Sequence, residues 1–419
     1  MKSRTLLLCF IFSYFLILLT GCIQQTSVQK QPKESPEAMH EESPAETELP
    51  TQTPKQSAQQ GQSQEYETAT PSPMQPAEKV TLEDFDWFSI PSWEIIDASA
   101  TDLNRKYVSF LKGAVPMGLW ISERGPEAKR IIADNLSMKE RINANVYEIR
   151  LTFIYRNGEF KPPGPEFETT DRFLRSAMAD AVLAKKQGLA VHLTAGFMPE
   201  NGFKSKEDLL DALEKWNDIV AEVSQLAEKY KVEYFNPAGE LDHVIRFDSG
   251  LSLSESEVVQ LTNKYHTEYA ATARKFFKGK LVTQLGDVYS EIKNSIFDLN
   301  LAGFDMIGML TGAYLDETSV QEFKNNLREA VSIMEELSKK HNKPWYISEV
   351  WIYGNKPVTE EKLQKQAEFF EVLFQTLDDT NADYSGILIM NWNMEEETIF
   401  ANIKDTPAEQ IVAEYFLKH

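Results

Sequence analysis

From about residue 113 onward, short apolar runs and long amphipathic stretches alternate without interruption, and no other property of the chain limits its fold so tightly. Eight runs read as β-strands: Ala114–Leu119, Asn145–Thr152, Ala190–Ala195, Val232–Phe235, Leu281–Leu285, Asp305–Met309, Trp345–Glu349 and Gly386–Asn391. The stretches between them carry apolar residues at three- and four-residue spacing, the period of a helix that buries one face. Their ends are punctuated accordingly, with Pro126 in a first turn, Ser205 followed by Asp208, Gly188 and Gly279 after helix ends, and Pro344 beyond a Lys-rich terminus. Strands that alternate with helices pair in parallel through right-handed crossovers, because each helix must pack back onto the sheet. Eight such units predict an α/β fold, a closed (β/α)8 or TIM barrel. An open doubly wound sheet is the rival architecture, but the chain lacks the Gly-x-Gly-x-x-Gly and Walker-type loops that usually accompany it.

The first 112 residues are of a different kind. Lys2 and Arg4 precede the apolar stretch Leu6–Leu19, and Leu19-Thr20-Gly21-Cys22 follows. That order resembles a lipoprotein signal peptide over residues 1–21, with Cys22 as the lipidated residue. Residues 22–80 are rich in Gln, Pro, Ser, Thr and Glu with Tyr66 as the only aromatic, a composition that cannot bury enough apolar area to order itself. A coil of this length would place the body about 40 Å from its anchor. The expectation is a lipid-anchored protein whose body works on the extracytoplasmic side of the cell membrane. Residues 81–112, with Trp87, Phe88 and Trp93, are expected to cap the lower end of a barrel domain that spans 81–419.

Composition removes several classes of function. The net charge is −21, and duplex binding needs clustered Lys and Arg to displace counterions, so no nucleic-acid partner is expected. Both cysteines, Cys9 and Cys22, lie in the leader, which leaves the body no disulfide and no thiolate. Six histidines without a His-x-x-x-His spacing point to no metal site, and no cofactor is expected.

Two carboxylates close apolar runs at the positions where barrel strands converge on a pocket: Glu240 in Asn236-Pro237-Ala238-Gly239-Glu240-Leu241, and Glu349 in Trp345-Tyr346-Ile347-Ser348-Glu349-Val350-Trp351. Successive strand residues face opposite sides. Placing Glu349 inward therefore sends Trp345 and Ile347 inward and turns Tyr346 and Ser348 to the helices. On the second run Glu148 and Arg150 point in, and on the third His192 and Thr194 do.

These residues resemble the large clan of retaining (β/α)8 glycoside hydrolases that includes β-mannanases, β-galactanases and cellulases, over roughly Gly113 to His419. The resemblance implies that Glu240, after the fourth strand, is the acid/base and Glu349, on the seventh, the nucleophile. Their separation of 109 residues leaves room for three βα units. It also implies substrate-binding roles for Arg150, for Tyr314 after the sixth strand and for Trp392 after the eighth; Pro407-Ala408-Glu409 before a last helix is similar to the end of many such enzymes. From the residues themselves, Trp120, Trp351 and Trp392 offer aromatic faces to sugar rings, while His192, Asn236 and Asp287 offer polar groups to hydroxyls. The chain departs from the clan at Gly239, where an Asn usually precedes the acid/base; Asp242 and Glu233 are the reserves for Glu240. The expected function is hydrolysis or transfer of a β-linked oligo- or polysaccharide by double displacement. The alternative is a non-catalytic lipoprotein that binds a glycan or a partner on the same scaffold.

Overall fold

The computed structural model describes residues 92–116, 126–163, 169–286, 288–289, 292–393 and 399–419, with the side chains of 126–129 outside that description. The expected leader, Cys22, the tether, residues 81–91 of the cap, Trp120 and Asp287 lie outside the described residues. The strands are β1 (Leu111–Ala114), β2 (Val146–Arg156), β3 (Glu159–Lys161), β4 (Ala190–Pro199), β5 (Tyr234–Asn236), β6 (Lys280–Leu285), β7 (Met306–Tyr314), β8 (Trp345–Asn355), β9 (Gly386–Ile389) and β10 (Ile399–Phe400). The helices are α1 (Trp93–Ser99), α2 (Pro126–Arg141), α3 (Thr170–Lys186), α4 (Lys206–Lys229), α5 (Leu241–His243), α6 (Glu255–Phe276), α7 (Lys293–Phe297), α8 (Val320–His341), α9 (Glu360–Thr380) and α10 (Pro407–Lys418).

Eight parallel strands close a barrel. β1 pairs in parallel with both β2 and β9, and β4 to β8 complete the circle in chain order. Two short strands, β3 and β10, add to the rim: β3 forms an antiparallel hairpin with β2, and β10 pairs antiparallel with the end of β8. Helix starts are set by side-chain caps. Ser205, Ser319 and Thr359 each accept from the backbone N–H three residues on, and Ser254 with Glu257 makes a full capping box. Asn342 and Asn381 end α8 and α9 in the left-handed conformation that asparagine tolerates.

The barrel interior begins with a layer to which each of the eight strands gives one buried side chain: Leu111, Val146, Ala190, Tyr234, Val282, Met306, Tyr346 and Leu388. A large side chain so placed stabilises the fold by about 1.5–3 kcal/mol relative to exposure. The chain before β1 runs beneath this layer. Lys106 N–H donates to Glu233 Oε1 at 2.7 Å, the Tyr107 ring meets Tyr234 edge-on at 5.9 Å, and Val108 packs on the layer itself. Glu233 is fully buried there and also accepts from Lys185 Nζ and from Val191 N–H. It is therefore a structural group at the lower end of the barrel, remote from Glu240 in role and position, and it drops out as a reserve acid/base.

Tyr346 belongs to the inner layer, whereas Trp345 and Ile347 pack outward with the helices, and Trp345 Nε1 donates to Glu335 on α8. The expected facing of this segment is thus corrected: Tyr346 points in, Trp345 and Ile347 point out. Glu349 still reaches the interior because a bulge intervenes. Ile347 is in register with Met309, but Glu349 is in register with Leu310, so Ser348 is an extra residue in β8. A β-bulge shifts the two-residue alternation by one, and beyond it Glu349, Trp351 and Tyr353 share the inner face. Val350 and Ile352 face the helices.

Candidate active site

Glu349 sits on the inner face of β8 just past the bulge and is 5% exposed. Arg150, from β2, donates through Nη1 to Glu349 Oε2 and through Nε to Glu148 Oε1 at 3.1 Å. Gln284, from β6, donates through Nε2 to the same Glu349 Oε2 at 3.2 Å. Two N–H donors, one of them cationic, thus converge on a single oxygen of this carboxyl and fix its orientation. Burial works against the charge on Arg150, but Glu148, Glu349 and Glu240 together raise its pKa above the ordinary guanidinium value.

Glu240 arrives by a different route. β5 ends at Asn236, and Pro237-Ala238-Gly239 carries the chain across the top of the barrel. This turn is pinned from three sides: Trp216 Nε1 donates to Pro237 carbonyl at 2.9 Å, Ala238 N–H to Asn236 Oδ1 at 3.2 Å, and Gly239 N–H to Ala195 carbonyl at 2.8 Å. Glu240 itself has φ 54° and ψ 34°, a left-handed conformation that costs a non-glycine residue of order 1–3 kcal/mol and that surrounding contacts must hold. Its N–H donates to Gln284 carbonyl at 3.2 Å and its carbonyl accepts from Val244 N–H at 2.9 Å. Burial, and then the charge of Glu349, push its carboxyl up to about 8. A carboxyl raised in this way is disposed to keep its proton near neutral pH, as a general acid must.

Gly239 has a steric reason. A Cβ there would lie 2.8 Å from Thr194 Cγ2 and 3.4 Å from Gln284 Oε1. Thr194 and the two amides of Asn236 and Gln284 already fill the space into which an asparagine would project. Asp242, the other reserve, is buried and accepts from Gly286 N–H at 3.0 Å, which fixes the turn after β6.

The remaining expected residues fall into three groups. Arg150 and Asn236 lie within the hydrogen-bonded network of the carboxyls, and Asn236 Nδ2 reaches Gln284 Oε1 at 3.4 Å. Tyr314 and Trp351 are brought together at 5.0 Å between ring centroids, and Tyr353 joins them at 5.3 Å from Trp351, so three half-buried aromatics line the inner face of β7 and β8 beyond Glu349. His192 and Trp392 are fully buried. His192 lies under the carboxyls, sharing a 2.8 Å hydrogen bond with the Tyr346 hydroxyl, and burial with the nearby Arg150 pushes it down to about 3, so it is neutral. The expectation that Trp392 offers a ring face is corrected: its Nε1 donates to Asp134 carbonyl on α2 at 2.8 Å, and its ring is packed in the core.

Three participants escaped the sequence reading. Gln284 could have been found by parity, since it shares the inward face of β6 with Val282. Glu148 was placed inward but given no part; it is fully buried between Arg150 and Thr194, and burial followed by the charge of Glu349 pushes it up to about 7. Met390, whose sulfur accepts from the Tyr353 hydroxyl at 3.1 Å, had no signal in the sequence. Among the described residues no group of three or more His, Cys, Asp or Glu is disposed to hold a metal.

Solved structures with the same architecture include GH113 β-mannanases. One described as a GH113 β-1,4-mannanase is 15% identical, with a TM-score of 0.54 and a match covering 74% of this chain and 100% of that one. A second, the GH113 β-mannanase AaManA from Alicyclobacillus acidocaldarius in complex with ManMIm, is 16% identical, with a TM-score of 0.55 over 74% of this chain and 98% of the other. At such identity the likeness establishes a shared fold. No protein-family model and no curated protein matches the sequence.

Proposed function

We propose that this protein is a retaining glycoside hydrolase that acts on a β-linked glycan, with Glu349 as nucleophile and Glu240 as acid/base. The observation that carries the reading is that one network holds both acids: Arg150 and the Gln284 side chain bond Glu349, the Gln284 carbonyl accepts from Glu240 N–H, and burial raises the Glu240 carboxyl. In the first half-reaction a Glu349 oxygen bonds to the anomeric carbon while the glycosidic C–O bond breaks, and the Glu240 proton passes to the leaving oxygen. In the second, water attacks the same carbon, returns a proton to Glu240 and releases Glu349. The aromatic group of Tyr314, Trp351 and Tyr353 supplies apolar surface for the C–H face of a sugar next to the reacting one. Because solved structures that share the fold include β-1,4-mannanases, β-1,4-mannan is the first polymer to test.

The deciding experiment compares wild type with Glu349→Gln on a panel of β-glycans, β-mannan included, and aryl β-glycosides. Wild-type turnover that drops by at least a thousandfold in the variant is expected, roughly the scale of losing a nucleophile. Turnover that survives the substitution removes the mechanism, and a wild type that binds glycans without cleaving any of them leaves the binding-protein reading in its place. The leader and Cys22 motivate a second proposal, that the barrel is held by lipid at the outer face of the membrane. Metabolic palmitate labelling tests it: label absent from wild type, or retained by Cys22→Ser, refutes the anchor.

A further inference from the structure

We infer that Gln284 is a positioning residue that couples the two carboxyls and selects which oxygen of Glu349 attacks. The inference rests on the hydrolase reading above. Among the described residues both hydrogen bonds to Glu349 fall on Oε2, one from Arg150 and one from Gln284, so Oε1 is the oxygen left for bond formation.

The direction of the amide chain behind it is set by the backbone. Ala238 N–H can only donate, so the Asn236 atom it meets at 3.2 Å is the carbonyl oxygen. Asn236 therefore turns its NH2 to Gln284, which must answer with Oε1, at 3.4 Å, and present its own NH2 to Glu349 at 3.2 Å. Reversing either amide would set two donors or two acceptors against each other in a site where both residues are 0–1% exposed. Ala238 lies two residues before Glu240, and the main-chain carbonyl of Gln284 accepts from Glu240 N–H at 3.2 Å. One residue thus touches both acids: its main chain holds Glu240 in the left-handed conformation, and its side chain steers Glu349.

The test uses the full chain with an activated aryl β-glycoside identified by the panel, and two variants. Gln284→Leu keeps the bulk and removes the donor; kcat/KM is expected to fall roughly 10- to 100-fold, chiefly through kcat, as for a lost hydrogen bond to a charged group. Gln284→Glu is isosteric, and its carboxyl donates only while protonated, so its pH optimum is expected to move to lower pH than that of wild type. That displacement is a signature loss of folding would not produce. An active wild type with inactive Glu349→Gln, but with both Gln284 variants within twofold of wild-type kcat/KM and an unmoved optimum, overturns this inference alone. A wild type inactive on the whole panel overturns the hydrolase reading, and this inference falls with it.

Discussion

At the scale of single residues, the site is a problem in sharing charge. Three carboxyls, Glu148, Glu240 and Glu349, surround one guanidinium, Arg150, and protons make up the difference. The pH consequence has a definite sign. Glu240 titrates at about 8 in the folded protein against 4.5 for an ordinary glutamate, so folding favours its protonated form. Its contribution to stability is fully present below about pH 4.5 and is lost as pH rises through 8. Glu240→Gln, which cannot ionise, should therefore gain melting temperature relative to wild type between pH 5 and pH 9. Glu148, at about 7, titrates in the same window and with the same sign, so the measurement is repeated in a Glu148→Gln background. A difference in melting temperature that does not change with pH would contradict a protonated Glu240. In activity the same proton sets a basic limb near pH 8, measurable as kcat/KM on an aryl glycoside.

At the scale of elements, β7 and β8 carry the decisive irregularity. The Ser348 bulge brings Glu349, Trp351 and Tyr353 to the inner face, and the neighbouring strand is shaped to receive them. Gly308 lies under Ser348, where an added Cβ would come within 2.7 Å of the serine Cβ, and Gly312 lies under Trp351. At position 312 a Cβ would sit 2.1 Å from the indole and 2.2 Å from the Trp351 carbonyl oxygen, and the carbonyl belongs to a paired strand that cannot yield. Gly312→Ala should cost at least about 1–3 kcal/mol in urea unfolding and alter the near-ultraviolet circular dichroism of the aromatic group. Wild-type stability and spectrum in that variant would mean that Trp351 does not rest on β7. None of this was readable from β8 alone. Strict alternation led to an inward Glu349 together with an inward Trp345 and Ile347; the first is found and the other two are reversed, because a bulge is a property of two paired strands.

At the scale of the whole molecule, the lower end of the barrel holds the segment before β1, and the upper end holds the acids. Glu233 joins that segment to the barrel at the bottom, taking N–H bonds from Lys106 and Val191 and pairing with Lys185, whose side chain is 3% exposed. Glu233→Ala leaves that ammonium buried without a counter-charge and should cost about 3–5 kcal/mol in urea unfolding, with much of it recovered when Lys185→Met is added. A loss below 1 kcal/mol, or no recovery in the double variant, would show that the pair is not closed in solution. By itself the sequence determined the alternation of strands and helices, hence the closed parallel barrel, because side-chain period and helix capping are local properties of the chain. It also singled out Arg150, Glu240 and Glu349 as inward polar groups of the barrel, although two of the strands run on past them, to Arg156 and Asn355, where the sequence had ended them at Thr152 and Glu349. Only the tertiary structure decided the bulge at Ser348, the burial of Trp392 against a helix 258 residues away, and the contact of Gln284 with Glu349 across 65 residues. Each of these depends on which surfaces meet when distant segments pack, and a linear pattern does not carry that information.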